Sequence, residues 1–505
     1  MGKFGTRPDL TRQARASIEA GQPRDAKKLL QEAIDVSRGD GEAWALLAVC
    51  HGMLGEYIEC ERCCRRAIEV EPRALGPWDN LGSALKFQGR IAEAERAYRK
   101  ALKIDPRYTE GYNNLGNLLL ERKEFEEAER CYRQALALQP GNLEVISNLG
   151  TVYQAQGKIE EAIAYYQRVL AVQPQHANAL TNLGTAYIAL GKKAEAMGVF
   201  EHAVSFQPEN VKAWWALGDL YQQVQAYDRA IECSNRVLTI NPDYAASYYT
   251  LALCYKGLND YDRAEKMFRK AHALDPKGME NVHYFLAAIG REPLPEKAPA
   301  NYLKELFDDY AVRFDRHLVV KLAYQAPKLL NAAVRAVIAD PSIKLDILDL
   351  GCGTGLSGEP FRDIAQRLTG VDLSPKMISK AKARAIYDEL IVGDILTPLV
   401  RPDAAFDLII AADVFIYFGD LAPVFRACKT ALRSGGLFAF STEAEDGDGT
   451  YVLRASGRYA HTLSYLHALA ESAGFTMVTT ERAIVRKELE KDIEGNICVV
   501  RHKMI

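Results

Sequence analysis

Residues 345–358 read LDILDLGCGTGLSG. Leu345, Ile347, Leu348 and Leu350 form a short apolar strand pattern that runs into Gly351, Gly353, Gly355 and Gly358. Glycines at the end of a strand let the backbone approach a ligand closely. Asp349 stands at the entrance of that turn, and two ligand classes compete for the arrangement. Gly353, Gly355 and Gly358 satisfy the GxGxxG pattern of dinucleotide sites. A dinucleotide, however, would lay its diphosphate over the turn, where Asp349 repels it. S-adenosylmethionine carries an ammonium and a sulfonium, and a carboxylate beside the glycines attracts both.

From this stretch to the end of the chain, residues 345–505 alternate strand and helix patterns. LDILDL, RLTGVDL, FDLIIAADVFIYF and GLFAFSTE read as strands, PKMISKAKARAIY and LAPVFRACKTAL as helices. FTMVTTERAIVR and NICVVRH close the chain as a hairpin-like pair. The alternation predicts a doubly wound parallel sheet with ligand loops at the strands' carboxyl ends. Upstream, residues 301–344 are mostly helical in pattern, and GREPLPEKAP over 290–299 has linker composition.

The first half of the chain repeats itself. Pro72, Pro106, Pro140, Pro174, Pro208, Pro242 and Pro276 stand 34 residues apart. Gly82, Gly116, Gly150, Gly184 and Gly218 keep the same interval, as do Ala94, Ala128, Ala162, Ala196, Ala230 and Ala264. Each unit holds two helical apolar patterns, small residues where the helices meet, and a proline that stops the second helix. One unit cannot bury its apolar face alone, so the units stack into a solenoid. Counting in frame predicts about eight units over residues 7–278 within an all-helical region spanning 1–290. Asn80, Asn114, Asn148 and Asn182 recur two residues before the glycine. A carboxamide offers both a donor and an acceptor to a peptide backbone. The column reads either as a peptide-gripping ladder or as asparagine tolerated on a solvated helix face.

The repeat closely resembles the tetratricopeptide repeat, and the asparagine column is similar to the peptide-gripping one of the O-linked N-acetylglucosamine transferase array. The order DLGCGTG, TGVDLSPKM, VGDI, FDLIIAADV resembles the class I methyltransferases. The whole chain looks like bacterial methyltransferases that carry an N-terminal tetratricopeptide array. The resemblance implies a multi-domain chain: an all-α superhelix, then a Rossmann-like α/β methyltransferase core over 345–505. It implies S-adenosylmethionine as cofactor, leaving S-adenosylhomocysteine as product. Asp349, Gly351 and Gly353 would line the methionine and ribose side, and Gly355 would also belong to the cofactor site. Asp372 would take both ribose hydroxyls, with Leu373 and Met377 beside the adenine. Asp394 would meet the adenine amino group, Ile395 its ring, and Ala411 and Asp413 the sulfonium.

Methyl transfer is an in-line displacement, so the protein chiefly places the nucleophile. Tyr310, Phe314 and His317 lie on the helices expected to lid the site. Glu443, Arg458, Tyr459, His461 and Tyr465 lie in a stretch expected to form a substrate loop and a helix. Tyr310, His317, Arg458 and His461 are the catalytic candidates, although each taken alone reads more simply as a surface or packing residue. The expected partner is a peptide or protein substrate in the repeat groove. The alternative is a small or carrier-bound carboxylate or hydroxyl acceptor, with the repeats as docking scaffold.

Composition narrows the rest. A formal net charge of −3 offers no electrostatic footprint for nucleic acid. No apolar run suits a membrane span, and the opening MGKFGTRPDL lacks a signal-peptide core, so a cytoplasmic protein is expected. Gly2 and Thr6 fit the short myristoylation pattern, which arises readily by chance. The ten cysteines lack the spacing of a metal site and are expected as buried thiols.

Overall fold

The computed structural model describes residues 7–503 apart from 312–313, 317, 319–321, 339, 341 and 489–490. Gly2 and Thr6 lie outside the described residues. The chain divides between Ala213 and Trp214 into two compact bodies.

Eight helix pairs run from Arg7–Glu19 with Pro23–Val36 to Ala245–Gly257 with Tyr261–Leu274. Six of them make up the first body. Two columns explain the pairing. Each pair turns through one residue of left-handed backbone, at Gly21, Gly55, Gly89, Lys123, Gly157, Gly191, Gln225 and Asn259. Glycine adopts that conformation without steric cost, and the three other residues adopt it at a penalty. The second column is the mid-helix glycine. A Cβ on Gly82, Gly116, Gly150 or Gly184 would sit 2.5–2.7 Å from the ring of Tyr98, Tyr132, Tyr166 or Phe200. Those rings, sixteen residues downstream, are fully buried against the bare backbone. The alanine column packs at zero exposure in the same seam. All ten cysteines of the chain are buried, several of them at such small-residue positions.

The second body holds the last two helix pairs, a short helix Val282–Ala288, the helices Ala300–Tyr310 and Ala326–Val337, and a nine-stranded sheet. Its strands are β1 (Leu345–Leu350), β2 (Ala365–Asp372), β3 (Glu389–Val392), β4 (Phe406–Ala411), β5 (Leu432–Glu445), β6 (Tyr451–Leu453), β7 (Tyr459–Thr462), β8 (Phe475–Glu488) and β9 (Lys491–His502). β3, β2, β1, β4 and β5 run parallel in that order. β9 joins β5 antiparallel, and β8 joins β9. Both faces are apolar, as a covered parallel sheet requires. Leu348, Leu350, Ile409, Phe438 and Phe440 face one core with Phe425 and Leu466. The alternate residues Ile347, Leu408, Ile410 and Leu437 face the other with Leu330 and Val334.

Three expectations need correction. β4 stops at Ala411 instead of running on to Phe418, because Asp413 takes a left-handed φ of 59° that ends extended backbone. The stretch after β5 is no loop. β5 continues to Glu445, and β6 and β7 form a hairpin whose second strand pairs parallel with β5 at Glu443–Glu445. Finally, residues 291–299 do not hang as a linker. Lys297 bridges Phe418, Ala298 N–H donates to the Tyr417 carbonyl at 2.8 Å, and Gly419 N–H donates to the Glu296 carbonyl at 2.7 Å.

Candidate active site

The turn after β1 is built as its glycines suggest. Gly351, Gly353 and Gly355 all have positive φ, and a Cβ on Gly351 would lie 2.6 Å from Val414. The turn leads into a 3-10 segment, Glu359–Ile364, and not into an α-helix. A dinucleotide site needs a helix N-terminus there for its diphosphate. Gly358 instead makes room for Tyr387, whose hydroxyl a Cβ would meet at 2.4 Å.

That tyrosine serves Asp349. The carboxylate is fully buried and accepts from Tyr387 at 2.6 Å and Ser357 at 2.7 Å, both on Oδ2. Oδ1 is buried without a partner. Burial, only partly offset by the two hydroxyls, lifts its pKa to about 7. Asp372, at the end of β2, accepts from Gly353 N–H and Ser374 N–H, each at 2.9 Å. Burial raises it to about 6 against those two bonds. Each oxygen keeps a second lone pair, so a ligand diol still fits. An orphaned, desolvated carboxylate oxygen beside a glycine cradle suits a cation, and these residues fit S-adenosylmethionine. Leu373 is half-buried and Ile395 nearly buried, whereas Met377 and Ala411 are wholly covered. Asp394 accepts from Leu396 N–H at 2.9 Å, and its other oxygen lies 3.6 Å from Lys297 Nζ.

Helices before the sheet close over this turn. Ser374 Oγ donates to Asp308 at 2.5 Å, while Asp315 is bound by Thr354 and Arg384. A Cβ on Gly353 would lie 3.6 Å from the Phe314 ring. Phe314 packs edge-on against Tyr310 at 5.1 Å and Phe307 at 6.3 Å, and Phe307 against Tyr417 at 5.6 Å. Tyr310 is thus part of an aromatic roof. His317 lies outside the described residues.

Beyond the roof lies a charged network. Arg486 of β8 is 2% exposed, donates to Asp413 Oδ2 at 2.7 Å, and binds Glu443. Arg454 binds the other Glu443 oxygen at 3.0 Å. Arg458 pairs with Glu488, and its charge acts on the buried Tyr417 hydroxyl. Asp413 Oδ1 is buried and has no partner among the described residues. Backbone bonds from Gln325 to Val485 and from Lys487 to Leu322 bring Tyr324 alongside. Its hydroxyl feels Asp413, Arg486 and Asp349 together, and burial, followed by the Asp413 charge, keeps it protonated. Sequence reasoning missed Arg486 and Tyr324. The signal for the first was a lone arginine closing the apolar run Ala483–Val485.

The remaining candidates lie differently. Nε2 of His461 meets the Gly419 carbonyl at 3.0 Å, and Nδ1 is buried and unpartnered. Burial lowers its pKa to about 4, so the ring is neutral at pH 7. Tyr459 donates to the Pro295 carbonyl at 2.6 Å and Tyr465 to Asp420 at 3.2 Å. These three residues tie β7 and the helix after it to Pro295 and to Gly419–Asp420. The asparagine column ties repeat to repeat. Asn114 Nδ2 donates to Asp79, Asn148 Nδ2 to Asn113 and Asn117, and Asn182 Nδ2 to Thr151, at 2.9–3.3 Å. Asn80 is half-buried at the same register.

Residues 348–440 match a family model described as methyltransferase domain, and residues 17–277 match a run of tetratricopeptide repeat models. A ubiquinone biosynthesis O-methyltransferase of Methylobacterium sp. is 34% identical over 106 residues, 20% of this chain and 43% of that protein. Its counterpart in Bradyrhizobium sp. is 28% identical over 182 residues, 32% and 72% of the two chains. A malonyl-acyl-carrier-protein O-methyltransferase of Serratia marcescens is 36% identical over 99 residues, 19% and 38%. The chain thus spans less than half the length of the first and third of these relatives. Among solved structures, a tetratricopeptide repeat protein from Parabacteroides merdae aligns with a TM-score of 0.42 and 15% identity, covering 49% of this chain and 98% of that one. The chain thus carries a methyltransferase domain, similar to S-adenosylmethionine-dependent methyltransferases, behind an array of tetratricopeptide repeats.

Proposed function

We propose that the chain methylates a hydroxyl group of a small or carrier-borne acceptor, with the repeat array docking a protein partner. The observation that carries this reading is the pair of buried carboxylate oxygens, Asp349 Oδ1 and Asp413 Oδ1, that have no hydrogen-bond partner among the described residues. The donor supplies an electrophilic methyl carbon on a positively charged sulfur. Asp349 and Asp372 hold its polar groups, and the Phe307–Tyr310–Phe314 roof excludes water, which would otherwise screen these contacts. On the acceptor side, the guanidiniums of Arg454, Arg458 and Arg486 already face Glu443, Glu488 and Asp413. Among the described residues, little positive charge is left to hold a carboxylate acceptor, such as the name of the Serratia relative implies for that protein. The unspent capacity is an acceptor oxygen, which receives the proton of a hydroxyl at Asp413 Oδ1. A carboxylate is a weak base, so the fitting hydroxyl is an acidic one, phenolic or enolic.

A second reading has one supporting feature. With their Nδ2 atoms engaged, Asn114, Asn148 and Asn182 keep Oδ1 open to the N–H groups of an extended peptide, so the array could instead present a peptide as substrate. Incubating lysate with the chain and isotopically labelled S-adenosylmethionine separates the two. Label in small molecules or in a carrier-bound group released by mild thiolysis supports the first reading. Label stable in polypeptide side chains overturns it in favour of the second. In the same assay Asp413→Asn should lower transfer by about a hundredfold, the lower range of general-base contributions.

A further inference from the structure

Arg458 sits in the strand-to-strand turn between β6 and β7, and that turn is not held by the sheet alone. The Tyr284 hydroxyl, buried, donates to the Gly457 carbonyl at 2.7 Å. Lys256 Nζ donates to the Ala455 carbonyl at 3.0 Å while lying 4.7 Å from the centre of the Phe285 ring. Tyr459 donates to the Pro295 carbonyl at 2.6 Å. Around these bonds Tyr284, Ala287, Ala288 and Ala298 share one buried cluster with Leu453 and Tyr459. Residues immediately before and after Arg458 are therefore gripped by the eighth repeat, the short helix after it and the 291–299 segment. The same segment bonds the backbone of Tyr417 and Gly419, and the Arg458 guanidinium lies close enough for its charge to act on the Tyr417 hydroxyl. Both members of that pair are aimed from elements outside the methyltransferase sheet.

We infer that Lys256 and Tyr284, on the last repeat and the helix after it, are positioning residues for the acceptor side of the active site, acting through the Ala455–Arg458 turn and Tyr417. The inference rests on the proposed transferase reading for what the turn does, but its geometry is independent of the acceptor. An isolated β-hairpin of this size is marginal in water, so its order depends on what packs against it. Neither residue touches the donor side, where Asp349, Asp372 and the glycine turn are held by their own neighbours.

The test uses the full chain with Tyr284→Phe, which removes one hydroxyl and little else, and Lys256→Met, which keeps the stem over Phe285. Hydrogen exchange of residues 451–462 should quicken by about fivefold in each, the population change expected for one lost hydrogen bond, with exchange elsewhere in the sheet unchanged. Calorimetric affinity for S-adenosylmethionine should stay within twofold of wild type, and methyl incorporation in the lysate assay should fall at least fivefold. Unchanged exchange in this hairpin overturns the inference. So does a parallel loss of donor affinity and melting temperature, which would mark both residues as general supports of the fold. Failure of the wild-type chain to bind S-adenosylmethionine would strike the transferase reading instead, and the exchange result would still stand or fall by itself.

Discussion

Asp349 and Asp372 are desolvated acids, which the proposed function makes ligands for a cation. In the folded chain Asp349 holds its proton up to about pH 7, whereas an exposed aspartate loses it near pH 3.9. Between those values the folded form binds more protons than the unfolded one. Its contribution to stability is therefore lost as pH rises through that window. A cationic ligand reverses the balance by favouring the ionised carboxylate. Affinity for S-adenosylmethionine should consequently weaken by about tenfold from pH 8 to pH 6, with proton release on binding near pH 7. Titrations in buffers of different ionisation enthalpy would measure both, and a flat profile would remove Asp349 from the donor site. Arg486 is the complementary case. Replacing it with Met leaves Asp413 buried without its cation and Glu443 with Arg454 alone, at a cost of about 3 kcal/mol in unfolding free energy. Chemical denaturation would register that loss.

Among the helices and strands, the repeat period carried nearly everything. Pro, Gly and Ala columns 34 residues apart disclosed paired helices, and the structure supplies the reason in the Tyr and Phe rings seated on the glycines. Gly116→Ala should destabilise the array by about 1–3 kcal/mol through its clash with Tyr132, although alanine is the better helix former. Lys123→Gly should stabilise it by roughly 0.5 kcal/mol, since it relieves left-handed strain at the cost of a looser unfolded chain. Denaturation midpoints of the two variants would check both signs. The glycine turn and the central strands β1, β2, β4 and β5 were legible as well, being short apolar runs, although the end of β4 and the β6–β7 hairpin were not. Less legible was whatever depends on partners far along the chain. The 3-10 segment after the turn, the left-handed Asp413 that ends β4, and the return of β8 to bring Arg486 beneath it leave no local periodicity. The asparagine column was visible as a pattern, but its bonds to the preceding repeat depend on how neighbouring units stack.

Taken entire, the chain does not part where its composition changes. Proline and mixed charge over 290–299 suggested a free linker, yet backbone bonds to Tyr417 and Gly419 fasten that segment to the sheet's ligand edge. Cutting at residue 300 would strip the cover from Leu453 and Tyr459 and remove the partner strand of Phe418. A fragment of residues 300–505 should be aggregation-prone with fast exchange in the β6–β7 hairpin. Residues 214–505, one compact body, should remain monodisperse and keep donor affinity. Size-exclusion chromatography with exchange mass spectrometry would distinguish them, and equal behaviour would refute the fastening role of the segment.

Charge decides the ligand: a buried acid beside a glycine turn that leads into no α-helix selects a cationic methyl donor over a diphosphate. Calorimetric titration of the full chain with S-adenosylmethionine and, separately, with a nicotinamide dinucleotide puts that selection to the proof. Saturable one-to-one binding is expected for the first, abolished by Asp372→Ala without loss of fold, and no binding for the second. Binding of the dinucleotide with indifference to S-adenosylmethionine would refute it.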